Sequence, residues 1–226
     1  MCGRYTLSRR EAEELALELG VPVEQLADYQ PRYNIAPGQR QWIVRMEYED
    51  REALQARWGL INRWAKDRNT GYKQINARAE TVHGRPAFRD AFKKRRCVVP
   101  ADGFYEWTGP KTGRQPLWFH RPDGGLLLFA GLYESWQPEP DVWEPTHTII
   151  TTDANRTVGL VHNRMPVILP EERIDDWLHP REEDVEKLRG FLVPAADELL
   201  ISTPVSRRVN SVKNDDPELL TEAAET

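Results

Sequence analysis

Position 2 is a cysteine, and its place in the chain gives it chemistry that no internal cysteine has. Removal of Met1 by the usual aminopeptidase requires a small second residue, and Cys2 qualifies. The product carries a thiol and a free α-amine on one carbon framework. The amine has an ordinary pKa of about 7.7–8.0, so much of it is neutral near pH 7. The thiol has an ordinary value of about 8.5 and responds to its neighbours. Such a 1,2-aminothiol captures an aldehyde in two steps: the amine forms a Schiff base, and the thiolate then closes a thiazolidine ring. The second cysteine, in Cys97-Val98-Val99-Pro100, reads as a small buried hydrophobe.

Three other stretches carry residue types that suit the same task. Ile75-Asn76-Ala77-Arg78-Ala79-Glu80-Thr81 offers an amide donor and a planar guanidinium fork matched to phosphate. In Asp102-Gly103-Phe104-Tyr105-Glu106-Trp107 a carboxylate stands between two aromatics, a setting that raises a carboxyl pKa toward neutrality and suits general acid–base work. In His162-Asn163-Arg164-Met165-Pro166 an imidazole precedes an arginine by two residues, as for a proton shuttle beside a bound phosphate. Each stretch also has a plainer reading, as a solvated loop edge, an edge-strand glutamate or a structural histidine.

Taken together and in order, these blocks resemble the SOS response-associated peptidase (SRAP) family of abasic-site crosslinking proteins. The resemblance runs through Met1–Tyr5, Arg32-Tyr33-Asn34-Ile35-Ala36-Pro37-Gly38, Trp58-Gly59-Leu60, Asn76–Thr81, Arg96–Trp107, His162-x-Arg164-Met165-Pro166, Pro204-Val205-Ser206 and Val209-Asn210. It implies that Cys2 is the nucleophile that forms a thiazolidine with an abasic site in single-stranded DNA. It implies that Glu106 and His162 move protons during sugar ring opening, and that Asn76 and Arg78 hold the abasic nucleotide. Arg4, Arg85 and Arg164 would contact flanking phosphates, and Pro37 and Trp64 would form the apolar shelf on which the strand turns. The sequence departs from the family pattern at Asn163, where an Asp is common, and at Asn62, where a Pro often precedes the tryptophan.

Two other functions are open to the same residues. An N-terminal cysteine serves as nucleophile in a cysteine peptidase, a hydrolase reading that the family's name records. A non-covalent sensor of damaged single strands would use Arg78 and Trp64 and leave Cys2 idle. The implied partners are single-stranded DNA with abasic sites and replication-fork proteins, and the expected state is a monomer with no cofactor. Two cysteines, five histidines and no C-x-x-C motif give no reason to expect a metal.

Elements must position these groups. Ser8-Arg9-Arg10-Glu11 has the form of a capping box, Ala12, Leu15, Ala16 and Leu19 keep helical spacing, and Gly20 is a stop. Residues 29–38 read as an ordered loop. Strands are expected at 41–48 and 53–59 with a Glu49-Asp50-Arg51 turn, at 97–100, 104–107, 116–121, 126–133, 146–152 and 199–203. Helices are expected near 86–94, 171–178 and 181–190. Many strands and few helices indicate an α+β fold, a single domain with an antiparallel, barrel-like core flanked by helices. The domain is expected to span 1–214, with 215–226 a frayed acidic tail.

Composition sets the outer limits. The 226 residues suffice for one full core. No apolar run reaches about 18 residues and no secretory signal is evident, so a cytoplasmic protein, or a nuclear one in a eukaryote, is expected. The net charge of −5 hides an asymmetry: residues 1–170 hold 24 Lys and Arg against 21 Asp and Glu, while 171–226 hold 7 against 15. A phosphate-binding surface must therefore be local and built from the first 170 residues.

Overall fold

Strand β1 (Tyr5–Leu7) is buried along its whole length, and Asp102 fixes the segment that follows it. The Ser8 amide and hydroxyl each donate to Asp102 Oδ2 at 2.6 Å, and the Thr6 hydroxyl donates to Oδ1. Ser8 is thus taken by a carboxylate and does not cap helix α1 (Ala12–Leu19), which starts after Glu11 with no side-chain cap. The helix buries Leu15, Ala16 and Leu19 and stops at Gly20, whose φ of 66° is a conformation that glycine adopts without a steric cost. The expected loop at 29–38 contains a short strand, β2 (Arg32–Ile35), paired with β1. These observations come from a computed structural model that describes residues 2–110 and 112–222, so the expected loss of Met1 lies outside the described residues.

Strands β3 (Arg40–Glu47) and β4 (Asp50–Trp58) form a hairpin whose two-residue turn is Tyr48-Glu49, one residue before the expected one. Both turn residues have positive φ, as the twist-compatible hairpin turn demands. There follow β5 (Asn76–Arg78), α2 (Arg89–Lys94), β6 (Arg96–Ala101), β7 (Gly103–Thr108), β8 (Gln115–His120), β9 (Leu127–Glu139) and β10 (Val142–Asp153). The last two run well past their expected ends and form a long hairpin. The chain then adds α3 (Arg156–Gly159), β11 (Arg164–Pro166), α4 (Ile174–Leu178), α5 (Val185–Arg189) and β12 (Ile201–Pro204). The two acidic helices are shorter than their sequence patterns suggested.

Strands β10, β4, β3, β6 and β9 pair in that order, and β9 pairs back to β10, closing a five-stranded barrel. The barrel is the expected antiparallel, barrel-like core, with parallel pairings only of β10 with β4 and with β5 among the described strands. A second sheet, β12-β8-β7-β1-β2, is antiparallel throughout. Its Tyr5 and Phe104 meet Trp58 and Phe129 of the barrel with ring centroids 5.1–6.2 Å apart, which welds the sheet and the barrel into one core. The opposite face of the sheet packs Tyr105 on Val205, Val209 and Leu219.

That second cluster holds the C-terminal segment. Arg32 pairs with Asp215, the Tyr33 amide donates to Asp215 Oδ1, and the buried Asn34 amide donates to the carbonyls of Val209, Ser211 and Asn214. Leu219 is buried and Glu222 bridges to Val205. Residues 215–222 are therefore attached, where fraying was expected. No helix among the described residues is long and apolar enough to cross a membrane.

Candidate active site

Strand β10 organises the site because each of its edges carries two strands in succession. One edge pairs with β4 and then β5; the other pairs with β9 and then β11. Asn76 sits opposite Ile149, Arg78 opposite Thr151 and Arg164 opposite Asp153. Strands β5 and β11 thus lie two strand spacings apart, about 10 Å, with β10 between them. The Asn76–Arg78 and His162–Arg164 motifs, distant in sequence, become neighbours.

Cys2 joins this group from β1's side. It is fully buried, and Asn76 Nδ2 donates to its carbonyl at 2.8 Å. The thiol lies 3.9 Å from the Arg4 carbonyl oxygen. Burial pushes the Cys2 thiol well above its ordinary value, and the nearby Glu106 carboxylate pushes it further in the same direction. Asn76 Oδ1 is buried with no hydrogen-bond partner among the described residues.

Glu106 reaches Cys2 because strand side chains alternate. Phe104 faces the main core, while Tyr105 and Trp107 face the C-terminal cluster. Glu106 therefore shares Phe104's face. Its aromatic sequence neighbours turn away from it, so the expected aromatic flanks do not set its environment. Gly103, at the start of the strand, is required by packing: a Cβ there would fall 2.0 Å from the Trp118 indole nitrogen.

His162 is half-buried and accepts a hydrogen bond on Nδ1 from the Arg164 amide at 3.0 Å. The neutral ring must then carry its proton on Nε2. Arg164 is buried and committed: its guanidinium meets Glu80 at 2.7 and 3.1 Å, Asp153 at 2.8 Å and the Thr151 carbonyl at 2.6 Å. Arg4 is likewise taken, by Asn34 Oδ1 at 2.7 Å, the Val209 carbonyl at 2.8 Å and the face of Trp107. Both were expected on phosphates, and among the described residues both tie protein segments together. Partial burial acts to raise the Glu80 carboxyl, yet the hydrogen bonds from Arg164 outweigh it and hold the group below its ordinary value. Neither Glu80 nor Asp153 is marked by a motif of its own; the acidic residue two positions after Arg78 is the available signal.

The other expected residues remain open to a ligand. Arg78 and Arg85 are exposed and form no hydrogen bond or ion pair with a described side chain. Pro37 is half-buried, and Trp64 is 69% exposed. The Trp64 loop is nonetheless fixed at both ends, since Asn62 Nδ2 donates to the Ala87 carbonyl at 2.8 Å and Trp136 Nε1 donates to the Ala65 carbonyl at 2.8 Å. Asn62 thus supplies a hydrogen-bonded anchor where a proline would supply stiffness. A cavity of about 650 Å³ lies elsewhere, against Leu128, Ile168 and Phe191, and includes none of these residues, so cavity size does not locate the chemistry. Among the described residues no group of three or more His, Cys, Asp or Glu is arranged to hold a metal ion.

Known proteins resemble this chain over nearly its whole length. Residues 1–212 match the family model described as SOS response associated peptidase (SRAP). The abasic site processing protein YoqW of Bacillus subtilis is 40% identical over 97% of this chain and 99% of its own. The abasic site processing protein HMCES of Gallus gallus is 33% identical over 85% of this chain and 66% of its own. A crystal structure of a Bacteroides thetaiotaomicron protein superposes with a TM-score of 0.84 at 25% identity, covering 98% of this chain and all of that one. By its motifs, its fold and these likenesses, the chain belongs to the SOS response associated peptidase (SRAP) family.

Proposed function

We propose that this protein processes abasic sites in single-stranded DNA, and that it does so by covalent capture through Cys2 once Met1 is removed. The observation that carries the reading is the convergence on one residue: Asn76 grips the Cys2 carbonyl and Glu106 bears electrostatically on its thiol. The relatives' names, abasic site processing proteins, point to the same substrate.

The steps follow from the groups present. An abasic sugar is mostly a closed hemiacetal and must open to expose its aldehyde at C1′. His162 steadies the ring oxygen with a hydrogen bond from Nε2–H while water carries the proton of the anomeric hydroxyl to that oxygen. The Cys2 α-amine adds to the aldehyde, water leaves, and an imine remains. The thiol adds to the imine carbon while its proton passes by way of Glu106 to the imine nitrogen, and the thiazolidine closes with no oxidant or reductant required. Asn76 keeps the Cys2 backbone in place while Arg78 and Arg85 hold the phosphates, so much of the rate gain is positional. Arg4 and Arg164 act as positioning residues. Pro37 and Trp64 support the turned strand, with stacking worth about 1–3 kcal/mol per base.

Purified protein mixed with uracil-glycosylase-treated single-stranded oligonucleotide should give a band that survives heat and denaturant. Cys2→Ala should give none while still binding the strand, and so should protein that retains Met1. A heat-stable adduct formed by Cys2→Ala at the wild-type rate sinks the reading.

A further inference from the structure

Away from Cys2, the turn end of the β9–β10 hairpin and the 60–73 segment share a face that the capture chemistry does not use. Two buried glutamates organise it. Glu144 accepts from Arg57 at 2.6 Å and Arg68 at 2.9 Å, with Arg40 at 4.0 Å. Glu134 accepts from Arg95 at 2.5 Å, with Arg63 at 3.8 Å. Five guanidinium groups thus meet two carboxylates, leaving an excess of three positive charges. Lys66 and Lys73 on the same segment more than offset Asp67. The arginines are fixed by buried anions, yet Arg40, Arg63 and Arg68 keep their heads exposed.

Exposed aromatics interleave with this charge. Trp143 is 53% exposed, with the Arg63 guanidinium 5.9 Å from its ring centroid. Tyr72 is exposed and closes a small hollow with Arg57 and Arg68. The same hollow includes Gly38, the neighbour of Pro37, and Trp64 stands beside Arg63, so the face continues from the expected shelf. An isolated hydrophobic patch would suit a protein partner; fixed surplus cations between exposed rings suit a polyanion that also has flat faces.

We propose that this ledge carries a stretch of the single strand beside the lesion, with phosphates over Arg40, Arg63 and Arg68 and a base stacked on Trp143. The proposal rests on the single-strand reading above. Trp143 precedes Ile149, the rung of Asn76, by six residues along β10, or about 20 Å. A strand leaving the capture site reaches it only through several nucleotides. The ledge therefore sets the length of the footprint, and long strands gain from it where short ones do not.

The test uses fluorescent single strands with a non-reactive abasic analogue at one end, of about 16 and about 4 nucleotides, in both polarities. Wild-type protein should bind the long strand more tightly in one polarity. Trp143→Ala should weaken that strand at least about fivefold and leave the short one unchanged, and Trp143→Tyr should restore it. Arg63→Gln should lower the slope of log K against log salt on the long strand by about 0.7. Tyr48→Ala, which removes an exposed ring at the far β3–β4 turn, should change neither. Trp143→Ala that binds the long strand like wild type overturns the ledge, as does a length gain seen only with a duplex flank. Wild-type protein that crosslinks a short abasic strand but gains nothing from length overturns the ledge and leaves the capture reading standing. Wild-type protein that neither binds nor crosslinks any strand overturns both.

Discussion

A thiol held away from water beside a carboxylate keeps its proton, and in the proposed capture this sets the order in which the groups of Cys2 would react. With burial and Glu106 both raising its pKa, the thiol cannot be the group that titrates near neutrality. The α-amine, a group whose ordinary value is about 7.7–8.0, can. The crosslinking rate should therefore rise as the amine loses its proton and show no second rise at about 8.5, where an ordinary thiol would ionise. Glu106→Gln should slow the reaction by about 10²–10⁴-fold, the usual worth of a placed general base, without lowering the final yield. Time courses across that pH range check both; a rate that tracks thiol ionisation, or a mutant as fast as wild type, removes the assignment. Cys2, Asn76 and Glu106, which the fold brings together, stood out in the sequence by position or residue type. Arg4 and Arg164 stood in equally suggestive motifs, but their partners lie 30, 84 and 11 positions away, at Asn34, Glu80 and Asp153. Charge alone does not tell whether a guanidinium will meet a carboxylate of its own chain or a phosphate.

The short elements around β10 hold the chemistry at small cost in residues, and one side chain carries much of that work. Asn155 accepts from the Val158 amide at 3.0 Å, capping α3, and donates to the carbonyls of Ala195 and Ala196 at 3.2 Å. The His162 amide in turn donates to the Val158 carbonyl. The cap thus fixes the helix from which the histidine hangs. Asn155→Ala should cost about 1–2 kcal/mol in urea unfolding and should also slow crosslinking, because a loosened α3 releases His162. A stability loss without any change in rate would show that His162 does not depend on this helix. Element types were readable where apolar periodicity was strong, as in β3, β4 and β6. They were not where side chains form distant pairs. Ser8 fits a capping box by spacing, but Asp102, 94 residues on, competes for it and wins. The β9–β10 hairpin hides because Glu134 and Glu144, buried by arginine pairing, break the apolar alternation that marks a strand.

A protein made of a closed barrel and a sheet welded to it by aromatic rings has few places to put a polar group that lacks a partner, and His147 occupies one of them. It lies in β10, wholly buried, its ring stacked on Trp58 at 6.5 Å with 10° between the planes. Burial holds its pKa down to about 3, against a smaller opposing pull from the Ala56 backbone carbonyl. In the unfolded chain the ring takes a proton at about pH 6.5. Between these values the unfolded state binds a proton that the folded state refuses, so stability falls as pH drops through that window, by about 1.4 kcal/mol per pH unit at the steepest. Above pH 6.5 the effect vanishes, because both states are neutral. The Glu80 carboxyl, held below its ordinary value by Arg164, adds a smaller loss of the same direction, starting only below about pH 4.3, and its exposure keeps that contribution under about 1 kcal/mol. His147→Phe keeps a ring against Trp58 and removes the titration. Urea unfolding of wild type should weaken steadily from pH 6.5 toward 4, while His147→Phe should hold its stability until the carboxylates begin to protonate. The difference between the two curves isolates His147 from every other titrating group. Parallel curves for the two proteins across that window would mean that the buried imidazole accepts a proton in place, and that the core beside the capture site is wetter than its burial indicates.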